Sequence, residues 1–132
     1  MSNKKANFII VDDSELDCFI ADKILKYADI ATSISSFLHA SNALDYIKQS
    51  ANTAETTIVL LDIVMPVMNG INFLEEFEKL PEEVRRGYHI VAFTSSMNKK
   101  DMNRIKSFKS VIKLLDKPLT SEALIELMGE IK

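Results

Sequence analysis

Two acidic positions in this chain stand where chemistry is expected. Asp12-Asp13 follows the apolar run Phe8-Ile9-Ile10-Val11, and Asp62 follows the run from Ile58 to Leu61. Each run reads as a buried strand cut short by charge, and Pro66 and Gly70 then turn the chain after Asp62 into a new helix. In open α/β sheets ligands bind at the carboxyl ends of the strands. An aspartate after a strand can also be a simple helix cap or turn residue, so neither position decides the matter alone. If the two strands are parallel neighbours, three carboxylates converge at one edge, where like charges repel unless a cation offsets them. A hard divalent ion such as Mg²⁺, held by one or two carboxylates plus waters and a phosphate, suits that setting. A carboxylate beside such an ion can accept a phosphoryl group, because Asp is a covalent nucleophile and the metal offsets charge on the transferring group.

The elements needed to bring these acids together are legible in the alternation of strand-like and helical patterns. Five of each succeed one another, which favours parallel βα units. The strands are expected at about Asn7 to Val11, Ile30 to Leu38, up to Asp62, Ile90 to Phe93, and Val111 to Leu115. The second, a mixture of Ile, Thr and Ser, suits a sheet edge better than a buried centre. The first helix starts at Ser14, a plausible N-cap, and its apolar spacing puts Leu16, Ile20, Ile24 and Tyr27 on one face. The second helix runs from Ser41 to about Ser50, with Ala43, Leu44 and Ile47 inward. The third runs from about Asn69 to Leu80, burying Ile71, Leu74 and Phe77, and Pro81 stops it. Glu82 to Gly87 reads as a polar linker inside the domain. The fourth helix, about Asn98 to Phe108, buries Met102, Ile105 and Phe108, and the last repeats Leu119, Ala123, Leu124, Leu127, Met128 and Ile131.

Four strands thus end on Asp12-Asp13, Asp62, Thr94 and Lys117. Acid, acid, hydroxyl and ammonium make up a phosphoryl-transfer kit of metal ligands, nucleophile, hydrogen-bond donor and fixed cation. A Thr at a strand end is often a helix cap, and a Lys before a Pro is usually solvated. It is the four equivalent topological positions that give the set its meaning.

With these motifs in order, Asp12-Asp13, Asp62-Ile63-Val64-Met65-Pro66 with Gly70, Thr94-Ser95 and Lys117-Pro118, the sequence resembles the receiver domain of two-component response regulators, from Phe8 to about Ile131. The resemblance implies a doubly wound, flavodoxin-like α/β domain with a five-stranded parallel sheet of order 2-1-3-4-5 and helices on both faces. It also implies that Asp62 is the phosphoacceptor, served by a histidine kinase or a histidine phosphotransfer protein. Asp13 and Asp62 would bind Mg²⁺ directly, with Asp12 helping through water and the backbone carbonyl of Val64 as a further ligand. Lys117 would pair with the acyl phosphate and Thr94 would donate to a phosphoryl oxygen. The expected output is protein contact at the fourth-helix face or onward phosphotransfer.

Three features depart from the family pattern. An aromatic residue commonly precedes the lysine by three positions and turns inward when the threonine moves; here that residue is Leu114, which leaves Phe93 or Phe108 as substitute gates. The Glu82 to Gly87 connection is long, and the acidic Asp116 sits beside Lys117. A basic series, Lys99, Lys100, Arg104, Lys106, Lys109 and Lys113, reads either as solvated surface or as a docking face steering an acidic partner. His39 and His89 have no ligand-type neighbours in sequence and read as surface or boundary residues.

Composition bounds the rest. With 132 residues, 47% hydrophobic and 27% charged, the chain is expected to be a single receiver domain over 1–132, with its core at about 7–131 and no output domain. A net charge of −3 argues against nucleic-acid binding. The single cysteine, Cys18, fits a reducing compartment, the polar start from Met1 to Asn7 does not resemble a signal peptide, and no apolar run approaches a membrane span. A soluble cytoplasmic protein is therefore expected. The competing activity is a metal-dependent phosphohydrolase acting through an aspartyl phosphate, but that chemistry commonly uses a second Asp two residues after the nucleophile, where this chain has Val64. A flavin-binding version of the fold is disfavoured because Asp12-Asp13 would repel a cofactor phosphate.

Overall fold

A computed structural model of the chain describes residues 5–50, 56–63, 69–94, 99–116 and 119–131. The strands are β1 (Ala6–Val11), β2 (Ala31–Phe37), β3 (Thr57–Asp62), β4 (Tyr88–Thr94) and β5 (Val111–Asp116). They form one sheet of order β2-β1-β3-β4-β5, parallel at every pairing, as the family resemblance implies. The helices are α1 (Glu15–Ala28), α2 (Ala40–Gln49), α3 (Gly70–Glu78), α4 (Glu82–Arg85), α5 (Lys99–Lys106) and α6 (Ser121–Glu130).

Because side chains alternate across a strand, each central strand splits its apolar residues between two cores. Ile9, Val11, Val59, Leu61, Ile90 and Ala92 pack under α2, α3 and α5, with Phe73, Leu74, Phe77 and Ile105. Phe8, Ile10, Ile58, Leu60, Val91 and Phe93 face the other way, against Cys18, Ala21 and Leu25 of α1 and Leu124, Leu127 and Met128 of α6. Apolar runs buried on both faces are what a parallel sheet requires. The polar β2 lies at an edge, as its composition predicts, paired only with β1.

The structure corrects one sequence expectation and completes another. Glu82 to Gly87 is not simply a linker: a single helical turn forms over Glu82–Arg85, entered from Pro81 and tied back by the Arg85 Nε–H donating to the Leu80 carbonyl at 2.8 Å. Pro favours such an entry because its φ is fixed and a helix start needs no N–H from it. The apolar stripe that the spacing marks on α1 is not its buried face. Cys18, Ala21 and Leu25 are buried, while Leu16 is 66% exposed, Ile20 43% and Tyr27 85%. The helix seats its smaller residues against β1 and α6 and turns its bulkiest outward.

Candidate functional site

The chain leaves β1 at Val11 and turns at once into α1, and the turn is held by Asp12. Its carboxylate Oδ1 accepts the Ser14 backbone N–H at 3.0 Å, and its carbonyl accepts the Cys18 thiol at 3.3 Å. The Asp12 N–H donates to the Phe37 carbonyl of β2 at 3.1 Å. Ser14 then caps the helix, its Oγ accepting the Asp17 N–H at 3.1 Å. This mesh fixes Asp12 at 1% exposure and leaves Asp13 exposed beside it. The sequence identified Ser14 as a cap; it gave no signal for the Cys18 contact, which depends on the depth to which α1 sinks.

Asp62 ends β3 opposite Phe93 of β4 and is 4% exposed. The next residue, Ile63, donates to the Phe93 carbonyl at 3.2 Å and accepts the Gly70 N–H at 2.9 Å. Glycine is demanded at position 70: a Cβ there would lie 2.6 Å from Ile63 Cδ1, 2.7 Å from Ile63 Cα and 3.0 Å from the Asp62 carbonyl oxygen. α3 can therefore begin directly against the end of β3, capped by Asn69, whose Oδ1 accepts the Asn72 N–H at 3.0 Å.

Since β1 and β3 are parallel neighbours, the two acidic strand ends meet. One carboxylate oxygen from each of Asp12, Asp13 and Asp62 lies within 4.8 Å of the others. This donor set consists of hard oxygens, two on buried side chains and one at the surface, and it suits a magnesium ion that keeps water and phosphate ligands on its open side. The backbone of Thr94 ends β4 and pairs with Asp116, the last residue of β5. The Thr94 side chain, Val64 and Lys117, the hydroxyl, carbonyl and ammonium expected from sequence, lie outside the described residues. Of the aromatic candidates, Phe93 belongs to the core on the α1 and α6 side, whereas Phe108 and Leu114 pack half-buried on the α5 side.

The fold and the acidic strand ends define a receiver, and comparison with known proteins agrees. The model of the response regulator receiver domain family matches residues 8–128. The chain belongs to that family. A response regulator receiver protein from Dyadobacter fermentans has 34% identity, with 95% of this chain and 96% of that one superposed at a TM-score of 0.85. A two component response regulator from Cytophaga hutchinsonii shares the fold at 22% identity, a TM-score of 0.86 and 97% coverage of both chains. Among curated proteins, the autoinducer 1 sensor kinase/phosphatase LuxN of Vibrio campbellii is 26% identical over 129 residues, which is 98% of this chain and 14% of that protein's length. No helix among the described residues is long and apolar enough to cross a membrane.

Proposed function

We propose that the protein accepts a phosphoryl group on Asp62 from a phosphohistidine on a donor protein, with Mg²⁺ as cofactor, and passes the signal on by protein contact or onward transfer. The observation that carries this is the convergence of Asp12, Asp13 and Asp62 within 4.8 Å at the carboxyl ends of adjacent parallel strands. In this reading Asp13 and Asp62 hold the ion, Asp12 assists through water, and the Val64 carbonyl completes the protein's share. When bound, the ion offsets negative charge on the transferring group. Asp62 attacks phosphorus through a carboxylate oxygen; the bond to the donor imidazole nitrogen breaks, and the imidazole leaves with that electron pair and takes up a proton. Lys117 balances the charge now carried on Asp62, and the Thr94 hydroxyl donates to a phosphoryl oxygen. The mesh around Asp12 holds the β1 side of the pocket in shape.

The donor must approach the strand ends, and the outer face of α1 supplies a surface beside them. Leu16, Phe19 and Ile20 lie within two turns of Asp13, all more than 40% exposed, and Lys23 rests over the Phe19 ring at 5.2 Å. Exposed apolar residues at i, i+3 and i+4 favour an α-helical partner. Downstream contact is assigned to the fourth-helix face of the sequence reading, now α5. There Lys100, Arg104, Lys106 and Lys109 are exposed, although Arg104 is paired with Glu75 at 2.6 Å and Lys113 with Glu130 at 3.4 Å. The setting is cytoplasmic in this reading, consistent with a single free cysteine, Cys18, and the chain acts as one receiver domain.

Intact-mass measurement after incubation with acetyl phosphate and Mg²⁺ tests the central step. Wild type should gain one phosphoryl group, and Asp62→Asn or omission of Mg²⁺ should abolish the gain. A full gain in Asp62→Asn would reject Asp62 as the acceptor.

A further inference from the structure

We infer that α3 is a strut carrying the phosphorylation state of Asp62 to the turn between α5 and β5, in the place where an aromatic gate is missing. This rests on Asp62 being the acceptor. The near end of the strut is seated on the acceptor strand through the Gly70 N–H bond to the Ile63 carbonyl at 2.9 Å, with no room for even a Cβ between them. Its body is locked to the sheet by Phe73, Leu74 and Phe77, all with no exposure, and the rings of Phe73 and Phe77 stack at 6.2 Å. A displacement at the end of β3 therefore moves α3 as a unit, because a close-packed interior does not absorb shifts gradually.

The far end grips the α5 region through two carboxylates spaced i, i+3 on α3, and so on one face of it. Glu78 Oε2 accepts both the backbone N–H of Ser110, at 3.1 Å, and the Ser110 hydroxyl. The Ser110 carbonyl in turn accepts the Ile90 N–H of β4 at 3.0 Å, and β5 begins at the next residue. Glu75 meets Arg104 of α5 at 2.6 Å. The two ties are unequal. The Glu75 pair is roughly half exposed at both partners and is weakened by water and salt. The Glu78 contact is partly buried, involves an ionised acceptor and engages two donors of one residue, so it dominates. Leu114, half-buried against the same core, offers no hydroxyl or ring to report a movement of Thr94. The ties to α3 supply a route that needs neither.

The test compares amide hydrogen exchange over 99–111 with and without acetyl phosphate and Mg²⁺, while intact mass monitors phosphorylation. In wild type, phosphorylation should change protection at 107–111 by about fivefold or more, the lower range of allosteric coupling. Glu78→Ala should be phosphorylated to the same extent but lose that response, and Glu75→Gln should only reduce it. Glu78→Gln, which keeps a neutral acceptor, should respond at an intermediate level, and Ser110→Ala removes the hydroxyl donor from the other side should Glu78→Ala fold poorly. A merely structural clamp would raise exchange at 107–111 in both states of Glu78→Ala and leave the response intact, which would overturn the inference. So would a wild type that is phosphorylated without any response at 107–111. Absence of the mass gain in wild type would instead reject the acceptor reading, and the strut with it.

Discussion

α1 and α6 lie side by side on one face of the sheet, yet they treat their apolar residues in opposite ways. α6 buries Leu124, Leu127 and Met128, the residues that its spacing selects. α1 buries Cys18, Ala21 and Leu25, and leaves Leu16, Phe19, Ile20 and Tyr27 in water. Both helices are amphipathic in outline, but α1 has large side chains on two sides, and periodicity alone cannot say which side meets the sheet. Its N-terminus at the acidic pocket supplies the missing constraint. With Asp12 committed to the turn and the Cys18 thiol reaching back to its carbonyl, the rotation of α1 is fixed and the bulky stripe must face outward. Three of these exposed side chains, Leu16, Phe19 and Ile20, stand within two turns of Asp13, and an exposed apolar patch of this kind marks a surface open to a partner.

Substitutions can break or sharpen this contrast. The largest effects belong to the buried faces: Leu25→Ala and Leu127→Ala should each cost about 2–5 kcal/mol in urea unfolding, because both side chains are essentially inaccessible to water. If Leu25→Ala cost no more than a surface substitution, the inward face assigned to α1 would be wrong. Next, Phe19→Glu should slow phosphorylation by a phosphorylated histidine phosphotransfer protein by about tenfold or more, a hot-spot effect, with labelling by acetyl phosphate unchanged. Equal loss with both donors would place the fault in the pocket and not in the encounter. Leu16→Ala and Tyr27→Ala should change stability by less than about 0.5 kcal/mol, as exposed positions do.

The smallest effect concerns the opposite face of the sheet, where Tyr88 packs edge-on against Phe77 with centroids 6.1 Å apart. Burial raises its phenol above the usual tyrosine range, and the neighbouring Tyr46 adds to the shift. Because the folded-state value is the higher, the folded protein holds this proton where the unfolded chain has lost it. The contribution is complete below the unfolded-state value of about 10 and fades as pH rises through the folded one. Tyr88→Phe should therefore flatten the alkaline limb of stability against pH. An unchanged limb would mean that the phenol is not shielded from water.

Much of the molecule is legible in its sequence. The alternation of strands and helices and the edge position of β2 follow from the residues themselves, whereas the strand order that brings Asp12, Asp13 and Asp62 together is legible through the family resemblance. What escaped depends on depth and packing. The face of α1 is set by how far the helix sinks onto β1. The turn at Glu82–Arg85 has too few residues to show a period, and the grip of Glu78 on Ser110 joins residues 32 apart with no motif to connect them. Thr94 and Lys117 are legible as the hydroxyl and ammonium that end two further strands, and Val64 only through the family pattern; the Thr94 side chain, Val64 and Lys117 lie outside the described residues.

The contact between Ile63 and Gly70 has a consequence for how this protein can be altered. Since Ile63, just after β3, and Gly70, the first residue of α3, are hydrogen-bonded to each other, the chain between them starts and finishes at nearly one point. Closing a somewhat longer loop costs little extra entropy. Residues added after Val64 would thus be hosted beside Asp62, to recruit a new recognition peptide or reporter, while the helix beyond keeps its place.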